Sequence, residues 1–208
     1  MGNTRVMAAV FGPRPADRRG DESHDRATVR CEFIQAPFAT GERRKRGKGD
    51  RRAVETASLV KDTLEATVLT ELHPRSVIDV HVLVVQADGG VRACCINAVS
   101  LAVADAGIAC RDVAAAVGGG LLDGTPAVDL GGAEDSVGAP EVTVALHPGE
   151  GKVVSMTTDN KMALESVEEA LSLAVEGCRA VAQAMSAALR RHTGRKALAA
   201  GAIKLGGV

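Results

Sequence analysis

A glycine-rich turn between a predicted strand and a predicted helix is the first candidate site in this chain. The β-branched stretch 77–85 predicts a buried strand, and Asp88-Gly89-Gly90-Val91-Arg92 links it to an apolar helix predicted over 93–106. Free backbone N–H groups and the positive end of the helix dipole converge at such a helix start, so the turn suits an anion. The Arg92 guanidinium adds a forked donor that matches phosphate oxygens.

The spacing in this turn limits the kind of anion site that it can form. It fits neither G-x-x-x-x-G-K-[ST] nor G-x-G-x-x-G, so it supports neither a nucleoside-triphosphatase loop nor a dinucleotide fingerprint. On the residues alone, an ordinary tight turn with a surface arginine stays the favoured alternative.

A pair of carboxylates forms the second candidate. Asp135 and Glu141 lie on either side of the turn Gly138-Ala139-Pro140, directly before the apolar stretch 142–146. Two such groups can share a divalent cation, or one can serve as an acid whose pKa the other raises. A plain acidic loop is the alternative, and the residues alone favour it.

A basic run over 41–52, GERRKRGKGDRR, is the third candidate and places seven cations in twelve residues. Residues 1–52 hold 13 of the 25 Lys and Arg residues but 7 of the 26 Asp and Glu residues, although the net charge of the chain is −1. Each Lys or Arg can displace a counterion from a phosphate backbone, so the run is typical of a loop that contacts a polyanion. A solvated loop is equally consistent with it.

The composition excludes several classes of protein. The 208 residues, 46% of them hydrophobic, suffice for one domain with its own core. Only three residues are aromatic, all of them Phe, so nucleic-acid binding cannot depend mainly on aromatic stacking. Five cysteines without a C-x-x-C pair argue against a disulfide framework or a zinc site, and favour a reducing, intracellular environment. No apolar run approaches the ~20 residues of a membrane span, so we expect no membrane partner.

The elements that must position these candidates alternate between strands and helices. Apolar residues at three- and four-residue spacing predict helices over 51–72 and 162–191, besides 93–106. The predicted strands cover 3–11, 28–33, 77–85, 113–117, 121–122, 127–130, 141–147 and 152–158. Between two of them, Gly118-Gly119-Gly120 predicts a bulge or a close backbone approach without a function of its own. We expect one domain over 1–192 and a Gly/Ala-rich tail over 193–208.

Four segments together resemble a known family. They are GNTRVMAAVFGPR, TGERRKR with the following GDRR, LTELHPRSVIDVHVLVVQADGGVRACCINAVSLAVADAGI, and the EDS turn. Over about residues 1–192 the chain resembles the ribonuclease PH family, and within it the catalytic-type ring subunit of the RNA exosome core. The resemblance implies an α+β fold, the ribonuclease PH-like two-layer β-α-β-α fold with mixed sheets. It also implies a six-membered ring of such subunits around an RNA channel, with RNA-binding cap subunits as further partners.

The resemblance implies an activity and assigns roles to residues. Active family members shorten single-stranded RNA from its 3′ end by phosphorolysis, with inorganic phosphate as co-substrate and a nucleoside diphosphate as product. The family's phosphate loop falls on Gly89, Gly90, Val91 and Arg92. Its RNA-contacting cations fall on Arg51 and Arg52, and the basic run adds Arg43, Arg44 and Arg46. The catalytic carboxylates fall on Asp135 and Glu141, which are also the candidate ligands for Mg²⁺.

Three departures from the family's pattern bear on this activity. Val91 replaces the usual Thr or Ser, and one hydrogen bond to a charged ligand contributes roughly 1.5–3 kcal/mol, so we expect weaker phosphate binding but not its loss. Glu141 keeps the charge of the usual Asp but moves the carboxylate outward by a methylene. The family has a further strand pair before Gly2-Asn3-Thr4, so we expect N-terminal strands to be missing, with the sheet edge open or covered by a neighbour.

Two functions follow as alternatives. Because Arg92 and Asp135 are both present, we favour a phosphate-dependent 3′-to-5′ exoribonuclease that processes and degrades RNA, rRNA included, and is active only in the assembled complex. The alternative is a catalytically inactive ring subunit that binds RNA and channels it to a separate hydrolytic nuclease. By its resemblance to eukaryotic members, we expect the protein in the nucleus, including the nucleolus, and in the cytoplasm.

Overall fold

The computed structural model describes residues 1–16, 23–43, 50–122 and 124–200. The strands in these residues are β1 (Arg5–Pro15), β2 (Thr28–Gln35), β3 (Ser76–Gln86), β4 (Ala115–Leu122), β5 (Thr125–Val128), β6 (Glu141–His147) and β7 (Lys152–Asp159). The helices are α1 (Arg51–Thr67), α2 (Val91–Asp105), α3 (Gly132–Ser136) and α4 (Leu164–Ala199), with a short 3-10 helix at Thr70–Leu72. The structure thus has the predicted α+β content.

The first sheet has the strand order β1-β3-β2. β1 runs antiparallel to β3 and β2 runs parallel to it, so the sheet is mixed, as predicted. From Val80 to Val84, buried valines alternate with exposed residues along β3, which is the period-two pattern of a strand with one covered face. Because β2 and β3 are parallel, the loops that leave their ends lie at the same edge of the sheet.

The second sheet has the order β5-β4-β6-β7 and is antiparallel throughout the described residues. Helices α1 and α2 pack between the two sheets, and α4 packs on the outer face of β4 and β6. The layers therefore follow in the order β-α-β-α. α2 carries apolar residues on all of its sides because both of its faces are covered. α4 buries a stripe of small residues, Ala170, Ala174, Cys178 and Ala182, so it approaches the sheet closely.

Polar side chains join the helix layer to the second sheet. The Asn97 amide on α2 donates to the Ala116 carbonyl (2.8 Å) and accepts from the Ala116 N–H (2.7 Å), in the way a neighbouring strand would. On α1, Thr67 lies 3.0 Å from the imidazole of His147, and Thr63 lies 3.0 Å from the hydroxyl of Ser155. These buried bonds fix the second sheet relative to the helices above it.

Several predicted element boundaries differ from the observed ones. β1 continues through Gly12-Pro13 to Pro15, and its pairing with β3 shifts register between Phe11 and Arg14. α1 ends at Thr67, before the predicted residue 72, because Val68 turns to an extended conformation and pairs with Cys110. α4 continues to Ala199 rather than ending at 191, so the first seven residues of the predicted tail are helical, and 201–208 lie outside the described residues. α3 was not predicted, because five residues are too few to show a helical period.

The glycine cluster Gly118-Gly119-Gly120 lies inside an unbroken β4, so the close backbone approach is the correct interpretation and the bulge is not. A Cβ atom at Gly119 would lie 3.3 Å from the carbonyl oxygen of Ala170, which allows α4 to lie against the strand. All five cysteines are unpaired thiols. Among the described residues, no helix combines the length and apolar character needed to cross a membrane.

Candidate active site

An open cleft of about 1170 Å³ lies where the helix layer meets the edges of both sheets. β2 and β3 end there, and α1 and α2 begin there, so the amino-terminal ends of two helices face the same space. Glu141, the first residue of β6, and Asp159, the last residue of β7, are paired across their two strands on the opposite wall. The topology therefore brings together positive helix ends and carboxylates from distant parts of the chain.

The turn before α2 forms one wall of the cleft through Gly89, Gly90, Val91 and Arg92. Gly89 and Gly90 have φ values of +76° and +55°, a backbone conformation that glycine adopts without strain. Gly90 is the N-cap of α2, and no side chain among the described residues caps the helix by a hydrogen bond. The first N–H groups of α2 are therefore available to an anion, as the sequence predicts for this turn.

The Arg92 guanidinium is held by an ion pair with the Asp159 carboxylate. Arg92 is 25% exposed and Asp159 is 49% exposed, so both groups face the cleft rather than the core. The pair keeps the guanidinium beside the open start of α2. Asp159 was missed in the sequence because it lies one residue beyond the predicted strand 152–158, and nothing in its local pattern marks it as a partner of Arg92.

Glu141 is half-buried on the wall opposite the turn. Burial raises the pKa of its carboxyl above the ordinary value, and the charges of Asp135 and Asp159 raise the pKa further, while the Arg92 charge lowers it. A Cβ atom at Gly118 would lie 2.8 Å from Oε1 of Glu141, so the missing side chain at Gly118 leaves the space in which this carboxylate lies. The glycine cluster thus shapes the site, which the sequence did not predict.

Asp135 lies on α3, exposed to solvent, and lines the same cleft as Glu141. α3 is capped at its start by the Glu134 carboxylate, which accepts a hydrogen bond from the Gly131 N–H at 2.7 Å. The predicted acidic loop is therefore a short capped helix followed by a turn. The turn is fixed to the end of β7, because the Asn160 amide donates to the Gly138 carbonyl at 3.2 Å.

Of the five predicted RNA-contacting arginines, Arg51 and Arg52 line the cleft at the start of α1. Arg51 is 91% exposed and forms an ion pair with Glu55 at 2.8 Å. The Arg52 side chain is exposed and has no ion pair or hydrogen bond with any residue in the part of the chain that the structure describes. Arg43 is exposed but does not line the cleft, and Arg44 and Arg46 lie outside the described residues.

Asn3 and Thr4 support the anion-binding turn, although the sequence indicated no role for them beyond the resemblance. The Thr4 hydroxyl, which is buried, donates to the Gly89 carbonyl at 2.6 Å and accepts from the Asp88 N–H at 2.9 Å. The Asn3 amide donates to the Asp88 carboxylate at 2.8 Å. Hydrogen bonds from the chain start therefore hold the turn in shape.

The carboxylates of the cleft do not form a ready metal site. Within residues 1–16, 23–43, 50–122 and 124–200, no group of three or more His, Cys, Asp or Glu side chains could hold a metal ion. Asp159, which could be a third ligand beside Asp135 and Glu141, is already bound to Arg92. The Mg²⁺ role of Asp135 and Glu141 stays a prediction.

Most of this chain matches known proteins. The family model described as "3′ exoribonuclease family, domain 1" (RNase PH) matches residues 1–109, and the model for domain 2 of the same family matches 112–177. The chain is 46% identical over 194 residues to the exosome complex component RRP41 homolog of Arabidopsis thaliana, covering 93% of this chain and 80% of that protein.

Two solved structures have a similar fold. The crystal structure of rice (Oryza sativa) Rrp46 superposes with a TM-score of 0.77 at 28% identity, covering 90% of this chain and 84% of that chain. A chain of the Archaeoglobus fulgidus exosome with RNA bound to the active site superposes with a TM-score of 0.72 at 18% identity, covering 88% of this chain and 80% of that chain. At that identity, the second likeness shows the fold alone.

Proposed function

This chain belongs to the 3′ exoribonuclease (RNase PH) family, and from that membership we propose that it is a ring subunit of an RNA exosome that processes and degrades RNA from the 3′ end. One observation carries the proposal. The cleft combines an uncapped helix start with Arg92, the cations Arg51 and Arg52, and the carboxylates Asp135 and Glu141. These are the groups that phosphate-dependent cleavage of an RNA chain needs.

Inorganic phosphate is the proposed co-substrate. Its oxygens accept from the free N–H groups at the start of α2 and from the Arg92 guanidinium, and the helix dipole favours its negative charge. Val91 supplies its backbone N–H but no hydroxyl, so this chain has one donor fewer than the family pattern implies. Phosphate bound at this place lies in the same cleft as the exposed Arg52 side chain.

The proposed reaction is phosphorolysis of the last linkage of a single-stranded RNA. An oxygen of inorganic phosphate attacks the terminal phosphorus, a new P–O bond forms, and the bond from phosphorus to the 3′ oxygen of the preceding nucleotide breaks. The leaving 3′ oxygen takes a proton, and the terminal nucleotide departs as a nucleoside diphosphate. Because burial raises the pKa of Glu141, this carboxyl holds a proton to higher pH than an ordinary glutamate and is suited to donate it.

Arg51 and Arg52 are proposed to bind the RNA backbone next to the reacting linkage. Both stand on the first turn of α1, on the same wall of the cleft as the phosphate-binding turn. Neutralising two phosphates there would hold the RNA end in place without reading its sequence. Arg43, Arg44 and Arg46 extend this positive charge along the chain and stay predicted contacts to RNA.

The partners and the location are proposals. The Arabidopsis thaliana relative is named as an exosome complex component, so we propose a ring with other RNase PH-like subunits. The six-membered size of the ring, the RNA-binding cap subunits, and the location in the nucleus, nucleolus and cytoplasm stay predictions.

The test uses the chain assembled with its ring partners and a single-stranded RNA labelled along its whole length, with Mg²⁺ in every sample. RNA decay is compared with and without millimolar phosphate in the wild type, Asp135→Asn and Glu141→Gln. Glu150→Gln is the matched control, because Glu150 is a carboxylate in the turn between β6 and β7 and is not among the residues that line the cleft. We expect nucleoside diphosphates only with phosphate, from the wild type and the control, with strong losses in the two cleft variants.

RNA that binds to the assembled ring but stays intact with phosphate would contradict the enzyme. It would instead favour a catalytically inactive subunit that channels RNA to a separate hydrolytic nuclease. Two observations support this second function. Arg92 is already engaged by the ion pair with Asp159, and Val91 lacks the hydroxyl that would bind phosphate.

A further inference from the structure

The Asp88 carboxylate joins the anion-binding turn to the helix that carries Asp135. Oδ1 of Asp88 accepts a hydrogen bond at 3.2 Å from the N–H of Gly132, the first residue of α3. Oδ2 accepts at 2.8 Å from the Asn3 amide. Asp88 directly precedes Gly89, and Gly132 lies three residues before Asp135, so one side chain spans both parts of the site.

The backbones of the two segments are in direct contact at this point. A Cβ atom at Gly89 would lie 2.1 Å from the carbonyl oxygen of Leu130, and a Cβ atom at Gly132 would lie 2.6 Å from Oδ1 of Asp88. Leu130 is itself buried, at 5% exposure. No side chain fits between the turn and the segment that leads into α3, so a movement of one is passed to the other.

α3 depends on such contacts for its position. It has five residues, none of them buried, and a helix of this length is not stable by itself. Hydrogen bonds hold it near both ends: Asp88 accepts from Gly132 at its start, and the Asn160 amide donates to the Gly138 carbonyl just beyond its end. At the start, the negative charge of Asp88 also faces the positive end of the helix.

We propose that Asp88 is a positioning residue, which sets the place of the Asp135 carboxylate relative to a phosphate bound at Gly89–Arg92. The proposal rests on the proposed function, since it assigns Asp88 a part in that reaction. Binding of phosphate to the turn and ordering of α3 are then coupled through this one carboxylate. Asp88 does not line the cleft, so it acts through its neighbours and not on the substrate.

The main test compares Asp88→Ala with the wild type in the assembled ring. We expect kcat for phosphorolysis to fall about tenfold. A misplacement of ~1 Å at a reacting group can cost on the order of a hundredfold, and a smaller displacement of Asp135 costs less. KM for RNA should stay close to the wild-type value, because Arg51 and Arg52 are untouched. Amide hydrogen exchange over 130–136, measured on the same samples, should become faster in Asp88→Ala.

Asp88→Asn provides the rescue. Its amide oxygen can still accept from the Gly132 N–H, and the Asn3 amide can turn to accept from the new amide nitrogen. We expect kcat and the exchange over 130–136 to return to nearly wild-type values in this variant.

Asp112→Ala is the matched control for loss of a structural carboxylate. Asp112 also accepts from backbone N–H groups, at 2.7 Å from Val113 and at 2.6 Å from Gly149, but it does not line the cleft. Its removal should speed exchange around Gly149 and leave kcat per assembled ring unchanged.

The inference is overturned if Asp88→Ala and Asp112→Ala have the same kcat, or if exchange over 130–136 does not change in Asp88→Ala. A wild-type ring without phosphorolysis would overturn the proposed function instead. The exchange data would then decide the coupling alone: faster exchange in Asp88→Ala supports it, and unchanged exchange overturns it.

Discussion

Arg92 and Asp159 form an ion pair in the cleft although 67 positions separate them in the chain. Arg92 lies in the first turn of α2 and Asp159 at the end of β7, so the pair connects the helix layer to the second sheet beside the uncapped helix start. A phosphate that binds Arg92 must share the guanidinium with this carboxylate. The pair therefore sets how strongly the cleft attracts an anion.

Removing the Asp159 charge should tighten phosphate binding. We expect Asp159→Asn to lower KM for phosphate about two- to fivefold, since a partly exposed ion pair contributes roughly 0.2–1 kcal/mol and its carboxylate also repels the anion. Initial rates of phosphorolysis over a range of phosphate concentrations measure this. Asp62→Asn, an exposed carboxylate on α1 away from the cleft, is the control. A higher KM would mean that Asp159 orients Arg92 more than it competes for it.

Restoring a hydroxyl at position 91 should also strengthen phosphate binding. Val91 is the first residue of α2, and threonine has nearly the same shape, so Val91→Thr should fold normally. We expect KM for phosphate to fall about tenfold, because a hydrogen bond to a charged ligand contributes roughly 1.5–3 kcal/mol. Val54→Thr, on the exposed face of α1, controls for the change of residue type. An unchanged KM would show that the hydroxyl does not reach the phosphate.

The raised pKa of Glu141 has a consequence for stability. Above the ordinary pKa of a glutamate the unfolded chain loses this proton more readily than the folded chain, so the folded state loses stability as the pH rises towards the raised value. Glu141→Gln should therefore raise Tm at pH 7. The rise should be only about 1–2 °C because water still screens the group, and it should vanish near pH 4. Thermal unfolding of both proteins at the two pH values measures this. A lower Tm of the variant at pH 7 would contradict it.

Two glycines should respond to alanine in opposite directions. At Gly120 a Cβ atom would lie 2.7 Å from the Pro140 carbonyl oxygen and 2.5 Å from the Leu130 side chain, so Gly120→Ala should cost about 1–3 kcal/mol. At Gly194, inside α4, no atom of the described residues lies within 4 Å of that position, so Gly194→Ala should stabilise the helix by about 0.5–1 kcal/mol. Denaturant unfolding gives both values. Equal stability of the two variants would refute the packing account of β4.

The basic run should bind RNA through its charge. We expect replacement of Arg43, Arg44 and Arg46 by Ala to raise the Kd for single-stranded RNA. The slope of log Kd against log salt concentration should fall by about two, because each lost phosphate contact lowers this slope by about 0.7. Binding titrations at several salt concentrations measure the slope. The control removes the same charge from α4 by replacing Arg190, Arg191 and Arg195 with Ala. Equal effects of the two triple variants would mean that net charge, and not the run, governs binding.

The sequence predicts those parts of the site that depend on local patterns. The strand, turn and helix around Gly89–Arg92 can be predicted because a β-branched stretch, two glycines and an apolar stretch follow one another directly. The layer order comes only from the resemblance to a family. For Asp135, Arg51 and Arg52, the residues alone give candidate chemistry, and the resemblance assigns the specific role. On the residues alone, a plain loop is the favoured interpretation of the acidic segment.

The parts that the sequence does not predict are contacts between distant segments. The ion pair of Asp159 with Arg92 and the bond from Asp88 to Gly132 exist only once the two sheets are stacked. The space that Gly118 leaves for Glu141 exists only once β4 and β6 are paired. α3 is stabilised by its neighbours rather than by its own helical propensity, so its five residues carry no periodic signal.

The hydrogen bonds between the helix layer and the second sheet have a consequence for the chain as a whole. Asn97 with Ala116, Thr67 with His147 and Thr63 with Ser155 all connect the segment 1–109 to the segment 112–177, which the family divides into two domains. The cleft takes its anion-binding turn from the first segment and its carboxylates from the second. The site is thus a property of one cooperative unit: it is present when both segments are folded together, and neither segment contains it alone.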